Sequence, residues 1–176
     1  MKWLKWILIV LAMLLVLVGS AAAIGAFIPL DHSVTVKAVY HQPPEAIWGL
    51  ITDFPGAPAW RPEIKKVVRG EEINGHAVWV EVSDFGEMPL EVAEMDPPRR
   101  LVLRIASEDL PFGGTWTFEI APEPGGASLT ITENGQVYNP LFRFMARFVF
   151  GYDATMDTYL RALGLRFGEE VQPLPA

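Results

Sequence analysis

The chain has 176 residues, of which 51% are hydrophobic and 20% charged, and it contains no cysteine. This length suits one domain plus an accessory segment, and the lack of cysteine excludes a disulfide-stapled scaffold, so a hydrophobic core must stabilise the domain. The formal net charge is −7, and both Lys2 and Lys5 precede residue 31, which leaves −9 on the remainder. Such an acidic domain is a poor match for nucleic acid or an anionic membrane surface as its main partner.

The first predicted element is an apolar helix. Residues 6–30 contain no charged side chain, and about 24 residues exceed the roughly 20 that a helix needs to cross a hydrocarbon core. We therefore expect a single-pass contact with the membrane through residues 6–30. Lys2 and Lys5 before this segment and Asp31 after it predict a cytoplasmic N-terminus and an extracytoplasmic domain.

A cleaved signal peptide is the alternative interpretation of the same segment. Lys2 and Lys5 form a basic start, residues 7–18 an apolar core, and residues 20–23 offer small side chains for cleavage near Ala23. The domain would then be secreted. Apolar character that continues beyond residue 23 favours an uncleaved anchor, and both interpretations export the domain.

After the apolar segment the pattern becomes alternating. Residues 34–40 alternate apolar and polar side chains, which predicts a first strand. Pro43 and Pro44 end this strand, and a proline in the first helical turn favours a short helix over residues 45–52. Residues 53–62 contain three prolines and allow at most one helical turn.

Six further strands are predicted, separated by turn residues such as Asn74-Gly75 and Gly113-Gly114. Turn chemistry between consecutive strands favours antiparallel pairing. The predicted strands cover residues 65–70, 77–85, 88–95, 101–107, 115–121 and 128–137.

The last predicted element is a long helix from residue 141 to about residue 167, with a kink near Gly151. A sheet and a helix bury both apolar surfaces when the sheet curls around the helix. We therefore predict an α+β fold, in which a curved antiparallel sheet of about seven strands wraps around the C-terminal helix. The apolar stripe of the helix comprises Leu141, Met145, Phe148, Tyr152, Met156, Tyr159 and Leu163.

Three stretches are informative about the family. They are residues 53–62 after the short helix, the strand-turn-strand of residues 94–101, and Gly-Gly-Thr-Trp at residues 113–116. Together they resemble the helix-grip fold of the SRPBCC superfamily. That superfamily includes START lipid-transfer domains, the birch-pollen allergen group and polyketide cyclase/dehydrase-like proteins.

The resemblance divides the chain into a 1–30 segment, an SRPBCC/START-like domain at residues 34–168 and a tail at residues 169–176. Members of the superfamily bind lipids, hormones or polyketides, cyclise substrates or act as chaperone cofactors. The resemblance therefore implies the fold more directly than the function. The N-terminal membrane segment differs from the soluble members and argues against a cytoplasmic biosynthetic role.

The fold implies a cavity between the sheet and the long helix, where aromatic and methionine side chains would contact a ligand. The alternative is that these side chains simply fill the core. The predicted lining comprises Trp48, Trp79, Phe85, Met88, Trp116, Phe118, Phe148, Tyr152, Met156 and Tyr159.

Two charged residues are predicted to add polar anchors. Glu133 shares strand parity with Leu129 and Ile131, so we expect it on the apolar face, where a buried carboxylate could act as general acid or base or orient a ligand. The alternatives are a salt bridge to Arg104 or Arg147, or a solvated strand end. Arg104 interrupts an aliphatic run and could clamp a carboxylate or phosphate in the cavity, although its parity with Val102 and Ala106 favours the outer, solvated face.

No motif indicates a metal or a cofactor. The three histidines lack metal-ligand spacing, and Gly113-Gly114 precedes a strand rather than a helix, unlike a phosphate-binding loop. Ser83 and Asp84 lie far from any suitably placed histidine, which argues against a Ser-His-Asp triad.

Residues 142–150 are broadly apolar with a basic edge from Arg143 and Arg147. Such a region could dock on a membrane or on a second subunit of a homo-oligomer, or pack in the core. Three functions stay open: binding of a hydrophobic small molecule (lipid, isoprenoid or polyketide-like), a cyclase/dehydrase or hydrolase reaction using Glu133 with Arg104 or Tyr152, and a structural module with a filled cavity.

Overall fold

The computed structural model describes residues 2–176, so Met1, the first residue of the predicted 1–30 segment, lies outside the described residues. The α-helices are α1 (Lys2–Ala26), α2 (Pro44–Thr52), α3 (Pro140–Met145) and α4 (Ala154–Arg166). A 3-10 helix spans Phe54–Ala59, and α3 continues as a π-helical segment over Ala146–Phe150. The strands are β1 (Asp31–Tyr40), β2 (Ile64–Arg69), β3 (Val78–Ser83), β4 (Gly86–Asp96), β5 (Arg100–Ile105), β6 (Phe112–Glu123), β7 (Gly126–Val137) and β8 (Leu174–Pro175).

The eight strands form one antiparallel sheet in the order β2-β3-β4-β5-β6-β7-β1-β8. Strands β2 to β7 pair consecutively, as their turn residues predicted, and β1 closes onto β7. Register shifts in β2 at Ile64/Lys66 and in β4 at Val92/Glu94 bend these strands. The predicted α+β helix-grip class is confirmed, with eight strands instead of about seven.

The hydrophobic core lies between one face of the sheet, here called the inner face, and helices α2 and α4. Leu129 and Ile131 alternate along β7 and are fully buried, as are Leu160 and Leu163 of α4. The Tyr40 hydroxyl donates to the Leu160 carbonyl at 2.9 Å and ties β1 to α4. Burial raises the pKa of Tyr40, so this hydroxyl keeps its proton at neutral pH.

The C-terminal helix is broken where a kink was predicted. The π-helical segment ends at Phe150, and Gly151 has a φ of +80°, a left-handed conformation that favours glycine. Helix α4 begins only at Ala154 and is the part that packs in the core. Of the predicted stripe, Met156, Tyr159 and Leu163 are buried, Leu141, Met145 and Tyr152 are half-buried, and Phe148 is exposed.

The predicted tail at residues 169–176 carries structure of its own. Strand β8 adds to the sheet by pairing with Val36 and Lys37 of β1. The Glu169 carboxylate accepts hydrogen bonds from the His41 backbone N–H at 2.9 Å and from the Gln42 side chain at 2.8 Å. These contacts fasten the chain end across the end of β1.

Helix α1 is long and apolar enough to cross a membrane over Trp3–Ala26. Most of its large apolar side chains are exposed, whereas Ala21 and Ala22 are half-buried and Gly25 is buried against α3. A Cβ on Gly25 would overlap the Pro140 carbonyl, so the close approach of the two helices requires glycine here.

We predict that Leu163→Ala lowers the free energy of unfolding by about 2 to 5 kcal/mol, because it opens a cavity in a fully buried part of α4. The matched control is Leu165→Ala, two residues away on the same helix but exposed, with an expected change within about 0.5 kcal/mol. Urea unfolding of the full chain in detergent, followed by tryptophan fluorescence, measures both. Equal effects would show that α4 is packed differently.

Candidate functional site

A buried ion pair lies on the inner face of the sheet. Glu81 shares strand parity with the core-packed Trp79, which turns its carboxylate inward on β3. Arg61 follows the 3-10 helix and donates a hydrogen bond to each oxygen of this carboxylate. The distances are 2.5 Å from Nη1 to Oε1 and 3.2 Å from Nη2 to Oε2. A third donor, Nε, contacts Glu63 Oε1 at 2.9 Å. Such a bidentate pair fixes the guanidinium plane as well as its charge.

The Arg61 guanidinium also covers an aromatic ring of α4. Its Cζ lies 5.2 Å from the centroid of the Tyr159 ring, within the range of a cation–π contact. Burial lowers the pKa of Arg61, but the Glu81 carboxylate outweighs it, so the net pKa is raised and the cation is permanent. Burial raises the pKa of Tyr159, which keeps its phenol protonated and able to donate.

Glu133 forms a second polar cluster on the inner face. The Trp116 indole N–H donates to Glu133 Oε2 at 2.8 Å, and His32 Nε2 lies 3.0 Å from Oε1. The His32 ring stacks on Tyr152 with centroids 4.0 Å apart. A Cβ on Gly135 would overlap the His32 ring, so the imidazole can occupy this position only because residue 135 is glycine. The partners of Glu133 are thus neither Arg104 nor Arg147.

An open cavity of about 330 Å³ lies beside the Arg61–Glu81 pair, near the start of α4. Its polar lining includes Arg61 and Glu63, and its aromatic lining includes Trp116 and Tyr159, whose rings meet edge to face at 5.9 Å. This volume lies at the lower end of small-molecule sites. The cavity is lined by Arg61, Glu63, Trp116, Phe150, Ala154, Thr155, Thr158 and Tyr159.

A larger depression of about 510 Å³ lies at the strand ends beyond His32. We place the candidate site in the smaller cavity, because the larger one has no hydrophobic side chain to contact an apolar ligand. The larger depression is lined by Asp31, His32, Ser33, Gly114, Asn134, Gly135 and Gln136.

The predicted lining residues separate into three groups. Trp116 and Tyr159 line the cavity, and Tyr152 reaches the second cluster through His32. Five others lie beneath or beside the site: Phe118 and Met156 are fully buried, Trp48 and Trp79 pack on the core, and Met88 is half-buried.

Two predicted lining residues do not face the interior. Phe85 is fully exposed because it lies in the tight turn between β3 and β4. Phe148 is 61% exposed because the helix break at Gly151 leaves the π-helical segment projecting from the domain. The expectation that both contact a ligand in the cavity is therefore wrong.

Arg104 lies on the outer face of the sheet, so its predicted place in the cavity is also wrong. It donates to Glu91 Oε2 from Nε at 3.0 Å and from Nη2 at 2.5 Å, while His76 Nδ1 lies 2.7 Å from Oε1. The hydrogen bonds from Arg104 hold the pKa of the buried Glu91 below its usual value, with His76 assisting. Leu101 and Leu103 take the inner positions of β5.

Three residues of the two polar clusters were not predicted from the sequence: Arg61, Glu81 and His32. The signal for Glu81 was available, since its parity with Trp79 on a predicted strand is the same argument that selected Glu133. Arg61 follows an irregular proline-rich segment, and His32 precedes the predicted start of β1, so no periodicity indicated where either side chain points.

Comparisons with known proteins agree with the fold. The profile of a family described as polyketide cyclase / dehydrase and lipid transport matches residues 31–163. The search of curated proteins found no match.

Solved structures that share the fold include three at low sequence identity. A START superfamily protein from Mycobacterium smegmatis has a TM-score of 0.59 at 21% identity and covers 77% of this chain and 95% of that chain. Protein MLL2253 from Mesorhizobium loti has a TM-score of 0.57 at 18% identity and covers 75% and 93%. The di-domain ARO/CYC StfQ from the steffimycin biosynthetic pathway has a TM-score of 0.57 at 14% identity, with 79% of this chain and 52% of that chain covered. The predicted resemblance is confirmed, and at these identities it shows the fold alone.

We predict that Glu81→Gln lowers the free energy of unfolding by about 3 kcal/mol, because it leaves the largely buried Arg61 cation without its main partner. Glu63→Gln is the matched control, since Glu63 contacts the same guanidinium from an exposed position and should contribute less than about 1 kcal/mol. Urea unfolding of both variants at neutral pH makes the comparison. A similar loss in both would show that the Arg61–Glu81 pair is not desolvated.

Proposed function

The chain belongs to the polyketide cyclase / dehydrase and lipid transport family, and from this membership we propose that it is a membrane-tethered, extracytoplasmic binder of a hydrophobic small molecule. The ligand class is a lipid, isoprenoid or polyketide-like molecule with one polar or anionic end. It would occupy the cavity between the sheet and α4.

The observation that carries the proposal is a fixed cation beside an open aromatic cavity. Arg61 has five N–H donors, of which Glu81 and Glu63 occupy three, so two are left for a ligand. The Tyr159 hydroxyl lines the same cavity and makes no hydrogen bond within residues 2–176. Both groups suit a carboxylate, phosphate or carbonyl oxygen, while Trp116 contacts the apolar part.

The cavity also favours binding over a purely structural role. A domain that served only as an assembly module would have no need of an opening of about 330 Å³ beside a desolvated ion pair. The paired carboxylate keeps the guanidinium oriented before a ligand arrives, which reduces the entropy lost on binding.

Tethering is supported by the contacts of α1. The C-terminal end of α1 packs on the domain, where Gly25 contacts Pro140 of α3. Cleavage of a signal peptide near Ala23 would remove most of α1 and leave only its last residues at this contact. The position of Lys2 and Lys5 before the apolar segment supports a cytoplasmic N-terminus and an extracytoplasmic domain.

We predict that the full chain, extracted from membranes in mild detergent, carries a hydrophobic molecule in native mass spectrometry. Thr158→Trp places a bulky ring at the cavity wall and should remove that molecule. Leu165→Trp puts the same ring on an exposed position of α4 outside the cavity and should leave it bound. A wild-type protein without ligand, or equal retention in both variants, would contradict binding in this cavity.

A second candidate function is a cyclase or hydrolase reaction, supported by one specific observation. Glu133 and His32 form a carboxylate–imidazole pair at 3.0 Å, with Tyr152 stacked on the imidazole. Such a pair can move a proton at Glu133 or at His32, and the Tyr152 hydroxyl could polarise a carbonyl. Arg104 cannot serve in this reaction because Glu91 holds it on the outer face.

Glu133→Gln separates the two functions, because it keeps the side-chain shape and removes the proton-transfer group. If the protein only binds, the wild type and the variant should carry a molecule of the same mass, recovered by native mass spectrometry. We expect this result. A molecule that differs in mass between the two proteins would instead identify a substrate accumulating in the variant, and with it a reaction.

A further inference from the structure

The π-helical segment ends in an unusually exposed apolar tip, defined here as residues 147–150. Phe148, Val149 and Phe150 expose 61%, 57% and 65% of their surfaces, although the domain has a large core available to them. Single exposed apolar residues are ordinary, but three consecutive ones on a projecting segment indicate an interaction surface.

The packing of α3 places this tip close to the end of the candidate span. About 20 residues counted from Trp6 end at Gly25, which is where the helix would leave the hydrocarbon core. The last turns of α1 have one face of small residues, which are Ala21, Ala22 and Gly25. Helix α3 packs on that face. Arg143 Nη1 of α3 reaches the Ile28 carbonyl at 3.3 Å. Helix α3 and the segment that continues it are therefore held beside the membrane exit of α1.

Charge distinguishes this region from the rest of the domain. Residues 134–152 contain Arg143 and Arg147 and no Asp or Glu, although residues 31–176 together carry −9. Phenylalanines accompanied by arginines are typical of segments that lie at the level of the lipid headgroups. The acidic remainder of the domain would be turned toward water.

The tip also borders the candidate site, since Phe150 lines the cavity together with Ala154 and Thr155 at the start of α4. We propose that residues 142–150 dock into the outer-leaflet interface of the bilayer that α1 crosses, so that the cavity opens at the membrane surface. This inference rests on the tethering proposed above. The ligand would then pass between bilayer and cavity along Phe150 without crossing bulk water.

The chain has no cysteine, so single cysteines can carry an environment-sensitive fluorophore without further changes. We choose Val149→Cys at the tip, Phe85→Cys in the fully exposed β3–β4 turn and Leu14→Cys in the middle of α1. The full chain is placed in phosphatidylcholine nanodiscs. Quenching is measured with aqueous iodide and with lipids that carry a nitroxide on the headgroup or deep in the acyl chain.

The label at residue 149 should lose iodide quenching relative to residue 85 and be quenched most strongly by the headgroup nitroxide. The label at residue 14 should respond to the acyl-chain nitroxide. If residue 149 responds to iodide as residue 85 does while residue 14 is in the acyl chains, interfacial docking is overturned and tethering stands. If residue 14 itself is open to iodide, tethering fails and the docking proposal fails with it.

Protection of residue 149 from iodide and from both nitroxides would overturn the bilayer as the occupant and indicate a second copy of the chain. Gly25→Leu gives a further test, because the larger side chain must push α3 away from α1. This variant should restore iodide quenching at residue 149. Gly19→Leu is the control, since no atom of residues 2–176, apart from the adjoining residues of α1, lies within 4 Å of a Cβ at that position, and it should leave the quenching at residue 149 unchanged. The same response to both substitutions would contradict the role of α1 packing.

Discussion

Two carboxylates lie on the inner face of the sheet, and each needs a hydrogen-bonding or charged partner. An unpaired buried charge there would strongly lower the free energy of unfolding. Glu81 is paired by Arg61, which the irregular segment after α2 brings over β3. Glu133 is paired by the Trp116 indole and by His32. Each pairing fixes a neighbouring aromatic ring: Tyr159 lies under the guanidinium, and Tyr152 stacks on the imidazole. The walls of the candidate site follow from these pairings.

The pairings also explain why an opening persists beside a close-packed core. Side chains such as Phe118 and Met156 fill the space deeper between the sheet and α4. Nearer the start of α4, the Arg61–Glu81 pair has to keep its geometry and the helix is interrupted at Gly151, so apolar side chains do not close the gap. Because α4 packs in the core only after this interruption, residues 147–150 before it stay exposed. The interruption at Gly151 thereby contributes to both the open cavity and the exposed tip.

Much of the fold could be predicted from local patterns, since the antiparallel strands follow alternation and turn residues, and Leu129, Ile131 and Glu133 follow strand parity. At Gly151 the sequence predicted a kink in a continuous helix, whereas the helix is interrupted there. Glycine is compatible with a kink and with an interruption, and tertiary contacts decide which of the two forms. Phe85 and Phe148 look like core residues by composition, but they lie in a tight turn and within the π-helical segment, and both are exposed there. Arg61 and His32 gave no signal because pairing across distant segments leaves no periodicity in the sequence.

The most direct test of the account is a crystal structure of the full chain purified without removal of bound lipid. Ligand binding at Arg61 predicts density for an elongated apolar molecule along Trp116, with its polar end within hydrogen-bond distance of Arg61 or the Tyr159 hydroxyl. Density confined to the polar depression around His32 and Gln136, or a cavity closed by its own side chains, would contradict the central claim that Arg61 anchors a hydrophobic ligand.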